Sequence, residues 1–162
     1  MKNNIIRLHN YLKGLTPVKF IITVLIMKVL FNLLMTPIGI LYTTNIGAVG
    51  GPIENSVLNL EMFIIAVIIA PIIESFIFQL GIIRILQDLL KVKNKKLLIL
   101  ISAIIFAAQH WYSPFYILLM IFPGIIYAYT FLIYDDKKYH PYLMIVVIHA
   151  LNNLVTLSLS LI

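Results

Sequence analysis

Apolar stretches close to the ~20 residues that an α-helix needs to cross the hydrocarbon core of a bilayer recur along this whole chain. They lie at approximately 18–42, 60–83, 97–112, 115–134 and 141–161. The polar connections between them are short and leave no room for a separate soluble domain. Composition agrees, because 62% of the 162 residues are hydrophobic and only 11% are charged. A water-soluble domain carries roughly 25% charged residues, so most of this surface has to face lipid. The expected fold is an all-α polytopic transmembrane helix bundle of about five spans, with residues 18–162 forming a single membrane-embedded domain.

The basic residues give the expected direction. Lys2, Arg7, Lys13 and Lys19 precede the first span or stand at its start; Lys91, Lys93, Lys95 and Lys96 fill the second connection; Lys137 and Lys138 fill the fourth. The first connection, Thr43 to Asn59, holds Glu54 but no Lys or Arg, and the third, around Trp111 to Pro114, is uncharged. Positive-inside logic therefore places the N-terminus in the cytoplasm and the C-terminus outside the cell membrane. Residues 1–17 mix Lys2, Arg7 and Lys13 with Ile5, Ile6, Leu8, Tyr11 and Leu12, a basic interfacial segment rather than a signal peptide. The net charge of +6 then fits anionic lipid headgroups and not nucleic acid. There is no cysteine, so disulfides, thiolate nucleophiles and thiolate metal ligands are excluded. Richness in Ile, Lys and Asn suggests a bacterial source.

An ionisable group near the bilayer centre costs roughly 2.5–3.5 kcal/mol on insertion scales, so each one calls for a reason. Lys28, in the first span, is expected to snorkel to the interface. Glu74 lies in the second span, His110 ends the third in Phe106-Ala-Ala-Gln-His110, and His149 and Asn153 share one face of the fifth. At ~1.5 Å per residue, Glu74 is roughly 15 Å from Arg84 and His110 about 21 Å from Lys96. His149 and Asn153 are roughly 12 and 18 Å past Pro141. One such group alone is often interhelical glue worth about 0.6–2 kcal/mol. Three helices bringing their polar groups to one middle layer point to a shared site.

Water activation is the chemistry such a set supports. A carboxylate in a dry site is a stronger base, and a neighbouring His can share the proton. A second His and an Asn amide can donate to a developing oxyanion. Glu74, His110 and His149 are also possible zinc ligands, but His-Glu-x-x-His is absent, and a mechanism that needs no metal or other cofactor is the expectation. Pro71, three residues before Glu74, frees a backbone carbonyl. Pro123-Gly124 in the fourth span permits a kink or a close helix approach.

The ordered set resembles the CPBP family, the CAAX-protease and bacteriocin-processing membrane proteins also called the Abi family. Its pattern is a Glu-Glu-x-x-x-Arg helix, a Phe-x-x-x-His helix and a His-x-x-x-Asn helix. Glu74, then Phe106 with His110, then His149 with Asn153 match it in order over about residues 60–160. The resemblance implies intramembrane endopeptidase activity on a peptide or membrane-associated protein tail. Glu74 and His110 would activate the water, and His149 and Asn153 would stabilise the oxyanion. Ser75 and Gln79 stand where the family has its second Glu and its Arg. At ~100° per residue neither points along the direction of Glu74. The alternative is a non-catalytic peptide-binding relative acting in bacteriocin immunity or as a membrane scaffold.

Overall fold

A computed structural model of the chain describes residues 2–52, 59–137 and 139–159. Glu54 and Lys138, used above to set the direction, lie outside the described residues. The described residues form helices and no strand: α1 (Lys2–Gly14), α2 (Pro17–Asn45), α3 (Leu60–Leu89), α4 (Lys95–Ala108), α5 (Pro114–Asp136) and α6 (Pro141–Leu159). Four of them, α2, α3, α5 and α6, are long and apolar enough to cross a membrane.

The third expected span is shorter than the others. Helix α4 has 14 residues, a length of about 21 Å against the ~30 Å of a hydrocarbon core. It stops because the chain turns through residues 109–113 and restarts at Ser113-Pro114, where the Ser113 hydroxyl accepts from the Tyr116 N–H at 3.0 Å and Pro occupies the first helical position. At the other end of α4 the Asn94 side chain accepts from the Lys96 and Leu97 N–H groups. Helices α4 and α5 form an antiparallel hairpin. Gly124 is what brings them together: a Cβ there would stand 2.9 Å from the Ala103 Cα and 3.0 Å from its carbonyl oxygen. The close approach expected of Pro123-Gly124 is thus realised.

One end of the bundle gathers the charges. Arg84 donates to both carboxylate oxygens of Asp135, at 2.5 and 3.1 Å, and stacks over the Phe131 ring. Lys95 reaches Asp136 at 2.6 Å and Lys13 approaches it at 3.9 Å. Lys137 donates to the Leu15 carbonyl. Partly exposed pairs of this kind each contribute little, but together they tie α1, α3, α4 and α5 at the basic end. Helix α1 also docks on α5, its buried Leu12 joining the core and His9 Nδ1 meeting the Tyr129 hydroxyl at 2.9 Å.

Helix α2 runs antiparallel to α5, with Phe20 against Tyr134, Phe31 stacked on Phe122 and Tyr42 stacked on Phe115. Its buried residues are Phe20, Val24 and Lys28, four apart on one face. Lys28 is only 4% exposed. The expectation that it snorkels is therefore corrected, because its face of the helix is turned into the bundle and not to the interface.

Helix α3 is the irregular element. Wide π-type turns occupy Ile65–Ile69, Ser75–Gly81 and Ile85–Leu89. Such turns misalign carbonyls, and in a membrane each misaligned group must find a partner inside the protein. Two neighbouring side chains supply partners in the wide stretches: Asn153 Nδ2 donates to the Ala66 carbonyl at 2.8 Å and the Ser102 hydroxyl to Phe78 at 2.8 Å. The Tyr142 hydroxyl adds a bond to Ile72, in the regular turn between them, at 3.0 Å. The segment that carries Glu74 is thereby fixed by α4 and α6.

Candidate active site

Glu74 ends the regular turn Ala70–Glu74, directly before the second wide stretch of α3. His110 follows the end of α4, where its backbone N–H still reaches the Ala107 carbonyl. His149 lies in α6. The fold brings the three together: His110 Nε2 and His149 Nε2 each lie 3.9 Å from the same Glu74 oxygen, Oε2. The side chains are 23, 15 and 5% exposed for Glu74, His110 and His149. Glu74 Oε2 is buried without a hydrogen-bond partner.

The tautomer of His110 is set by its surroundings. Its Nδ1 lies 2.8 Å from the Phe106 carbonyl, which can only accept, so Nδ1 carries the proton. In the neutral ring Nε2 is then an acceptor, and it faces Glu74 Oε2. Two acceptors 3.9 Å apart are the right distance for one water, held ~2.8 Å from each and donating one hydrogen to each. His149 has a buried Nδ1 with no partner, so no neighbour fixes its tautomer. With its proton on Nε2 it donates towards the Glu74 side.

Aromatic rings form the floor. Phe106 lies with its ring centroid 4.8 Å from His110 and 5.9 Å from His149, and Tyr127 stacks on His149 at 4.6 Å. Phe106 is 1% exposed and so is Tyr127. Such packing holds each imidazole in one orientation without using its polar atoms. Over the far end, Ser113 donates to the Val49 carbonyl, and a Cβ at Gly50 (φ +78°) would stand 2.7 Å from the Tyr112 Cβ. Only glycine combines that backbone with so close an approach.

Asn153 is placed differently. One of its two amide hydrogens is used on Ala66, and its Oδ1 accepts weakly from Asn152 at 3.4 Å. The reason lies in Pro71. In the first wide stretch the Ala70 N–H reaches back five residues, to Ile65. In that register Ala66 would be served by residue 71, and proline has no N–H. The carbonyl that Pro71 frees is the one Asn153 satisfies.

Ser75 and Gln79 are both 0% exposed, and the Ser75 hydroxyl and both polar atoms of the Gln79 amide lack partners. Both face the protein interior, not lipid. Two residues with no assigned role in the sequence reading, Gln109 and Tyr127, also belong here. The Gln109 side chain approaches the Glu74 carboxylate, its buried Nε2 making no conventional hydrogen bond. Tyr127 supports His149, and Lys28 lies on the face of α2 that is turned into the bundle. Only Lys28 left a legible signal, its spacing from Phe20 and Val24.

The zinc candidates Glu74, His110 and His149 do meet. Ligands at zinc distances of 2.0–2.2 Å in a tetrahedron stand roughly 3.3 Å apart, closer than the 3.9 Å found here. Among the described residues no group of three His, Cys, Asp or Glu is arranged to hold a metal ion. The residues as placed do not fit zinc, and no step is derived through it.

The comparison with curated proteins and that with solved structures give no match. Among protein families, the type II CAAX prenyl endopeptidase Rce1-like family matches residues 56–155, more than half of the chain and the part that carries Glu74, His110, His149 and Asn153. That match covers more than half of the chain, and the chain belongs to the Rce1-like family of type II CAAX prenyl endopeptidases.

Proposed function

We propose that this protein is an intramembrane endopeptidase that hydrolyses a peptide or the tail of a membrane-associated protein. The observation that carries the reading is the pair of acceptors, Glu74 Oε2 and His110 Nε2, 3.9 Å apart, with the His110 tautomer fixed by Phe106. A water bound between them attacks the peptide carbonyl carbon while Glu74 takes its proton. His149 donates to the resulting oxyanion from Nε2, and Asn153 contributes its second amide hydrogen. Glu74 then passes the proton to the leaving nitrogen as the C–N bond breaks, and the site returns to its starting charge. The apolar floor of Phe106 and Tyr127 keeps other water from this step. The protein sits in the cell membrane with its basic end in the cytoplasm, which requires α4 with its following turn to count as a crossing.

The test uses purified protein and a quenched fluorescent peptide library in detergent. Cleavage by the wild type and none by Glu74→Gln is the expected result. Binding of peptides with no cleavage by the wild type identifies a non-catalytic relative instead.

A further inference from the structure

Lys28 takes no part in the reaction just described, yet the fold holds it inside the bundle. It stands on the inward face of α2 with Phe20 and Val24 and is 4% exposed. Phe20 lies against Tyr134, and Phe31 stacks on Phe122. Between those two levels α5 presents Tyr127, the residue that stacks on His149. Lys28 therefore stands on α2 near the level of Tyr127 and His149, on a helix that packs against both α5 and α6.

The cation has no anion of its own. Among the described residues no carboxylate lies within ion-pair distance of Lys28, and it makes no hydrogen bond. Asp135 and Asp136 are held by Arg84, Lys95 and Lys13 at the basic end. Glu74 faces the two histidines. Glu61 and Asp88 are exposed at opposite ends of α3. An unpaired ammonium in a membrane interior is costly, and such groups mark substrate or ion positions far more often than packing. An apolar residue on this inward face would avoid that cost.

We infer that Lys28 is a specificity-determining residue, the subsite for a carboxylate carried by the peptide that binds across Glu74 and the two histidines. An ammonium on a flexible stem pairs with a carboxylate as a compact charge, and in a dry site the pair is worth far more than at a surface. The carboxylate is either the free C-terminus of the peptide or an acidic side chain near the scissile bond. Either source orients the chain, and the position of the anion sets which peptide bond lies over Glu74. The inference rests on the peptide reading of the site.

The experiment measures binding and cleavage separately, on full-length protein in lipid nanodiscs. The probes are a short apolar fluorescent peptide with a free C-terminal carboxylate, its C-terminal amide, and two further amides carrying one Glu or one Gln. The wild type is expected to bind a carboxylate-bearing peptide at least about tenfold more tightly than its neutral counterpart. Lys28→Met and Lys28→Gln are both expected to lose that preference, charged and neutral peptides then binding alike, and Lys28→Arg to keep part of it. Using both neutral variants guards against one that does not fold. Preference for the free terminus over the amide assigns the C-terminal source, and preference for Glu over Gln assigns the side chain. Equal binding of charged and neutral peptides by the wild type overturns the inference. So does an equal preference in the neutral variants, or no binding of any probe. Cleavage without preference would leave the endopeptidase reading standing alone. A Lys28-dependent preference without cleavage would leave the subsite and remove the endopeptidase.

Discussion

Asn153 Nδ2 donates a 2.8 Å hydrogen bond to the carbonyl of Ala66, a residue 87 positions earlier in the chain. That carbonyl is orphaned because Pro71 stands where the next N–H should come from. The bond therefore couples two features that look unrelated in sequence: the third motif, and a proline three residues before Glu74. Removing the amide leaves a buried carbonyl without a partner, at a cost of about 1–3 kcal/mol. Asn153→Ala is expected to lower stability by that amount in the wild type and by clearly less in a Pro71→Ala background, where residue 71 regains its N–H. A double-mutant cycle on unfolding in detergent measures the coupling. Equal losses in both backgrounds would sink the link.

Activity separates the roles within the site. Glu74→Gln keeps the shape of the side chain but removes the base, so cleavage should vanish with expression intact. His110→Ala removes the second acceptor and should do the same. Asn153→Ala should reduce turnover by a smaller factor, no more than the ~10²–10³ typical of one oxyanion donor. Full activity in Glu74→Gln would falsify the mechanism.

Gly124 carries the tightest helix approach in the bundle. An added methyl group there meets the Ala103 backbone at 2.9 Å, and backbone cannot swing aside as a long side chain can. Gly124→Ala is expected to destabilise the protein by about 1–3 kcal/mol through overpacking. Since α4 positions His110, cleavage should fall along with the melting temperature. A variant of unchanged stability would mean that α4 and α5 do not pack this closely.

The positions that break the family pattern make a fourth case. Ser75 and Gln79 are four apart, so a Glu and an Arg there could pair along α3. Ser75→Glu alone puts an uncompensated carboxylate into a fully buried position and should lower folded yield. Adding Gln79→Arg should recover part of the loss. Additive effects without recovery would refute the pairing. Activity that emerges only in the double variant would mark the native protein as a pseudoprotease.

Direction across the membrane can be read by labelling, as the chain has no native cysteine. Asn94 caps α4, so replacing it would weaken the helix; the exposed Lys93 is the better position. Lys93→Cys should react with an impermeant thiol reagent only after the cells are opened. Labelling in intact cells would reverse the assigned orientation.

The sequence by itself determined the class of fold, since continuous apolar runs of about 20 residues cross a bilayer as helices, with every backbone group paired inside the segment. It also determined which residues to suspect. Glu74, His110 and His149 stood out because an ionisable group in an apolar run is expensive wherever it ends up. Similar depth allowed them to meet in one middle layer. What depth could not supply was rotation about each helix axis, and that is where the tertiary structure decided. It turned Lys28 inward instead of letting it snorkel, buried Ser75 and Gln79, and set Gln109 beside Glu74. It also gave Asn153 a partner in the Ala66 carbonyl. Helix rotation is fixed by packing among α2, α3, α5 and α6 and by the wide turns of α3, where a regular 3.6-residue period no longer tells which side chains share a face. The shortness of α4 was equally invisible, because Gln109 to Ser113 continue an uncharged run and only the Ser113-Pro114 cap, which reads as the start of the next helix, marks the break.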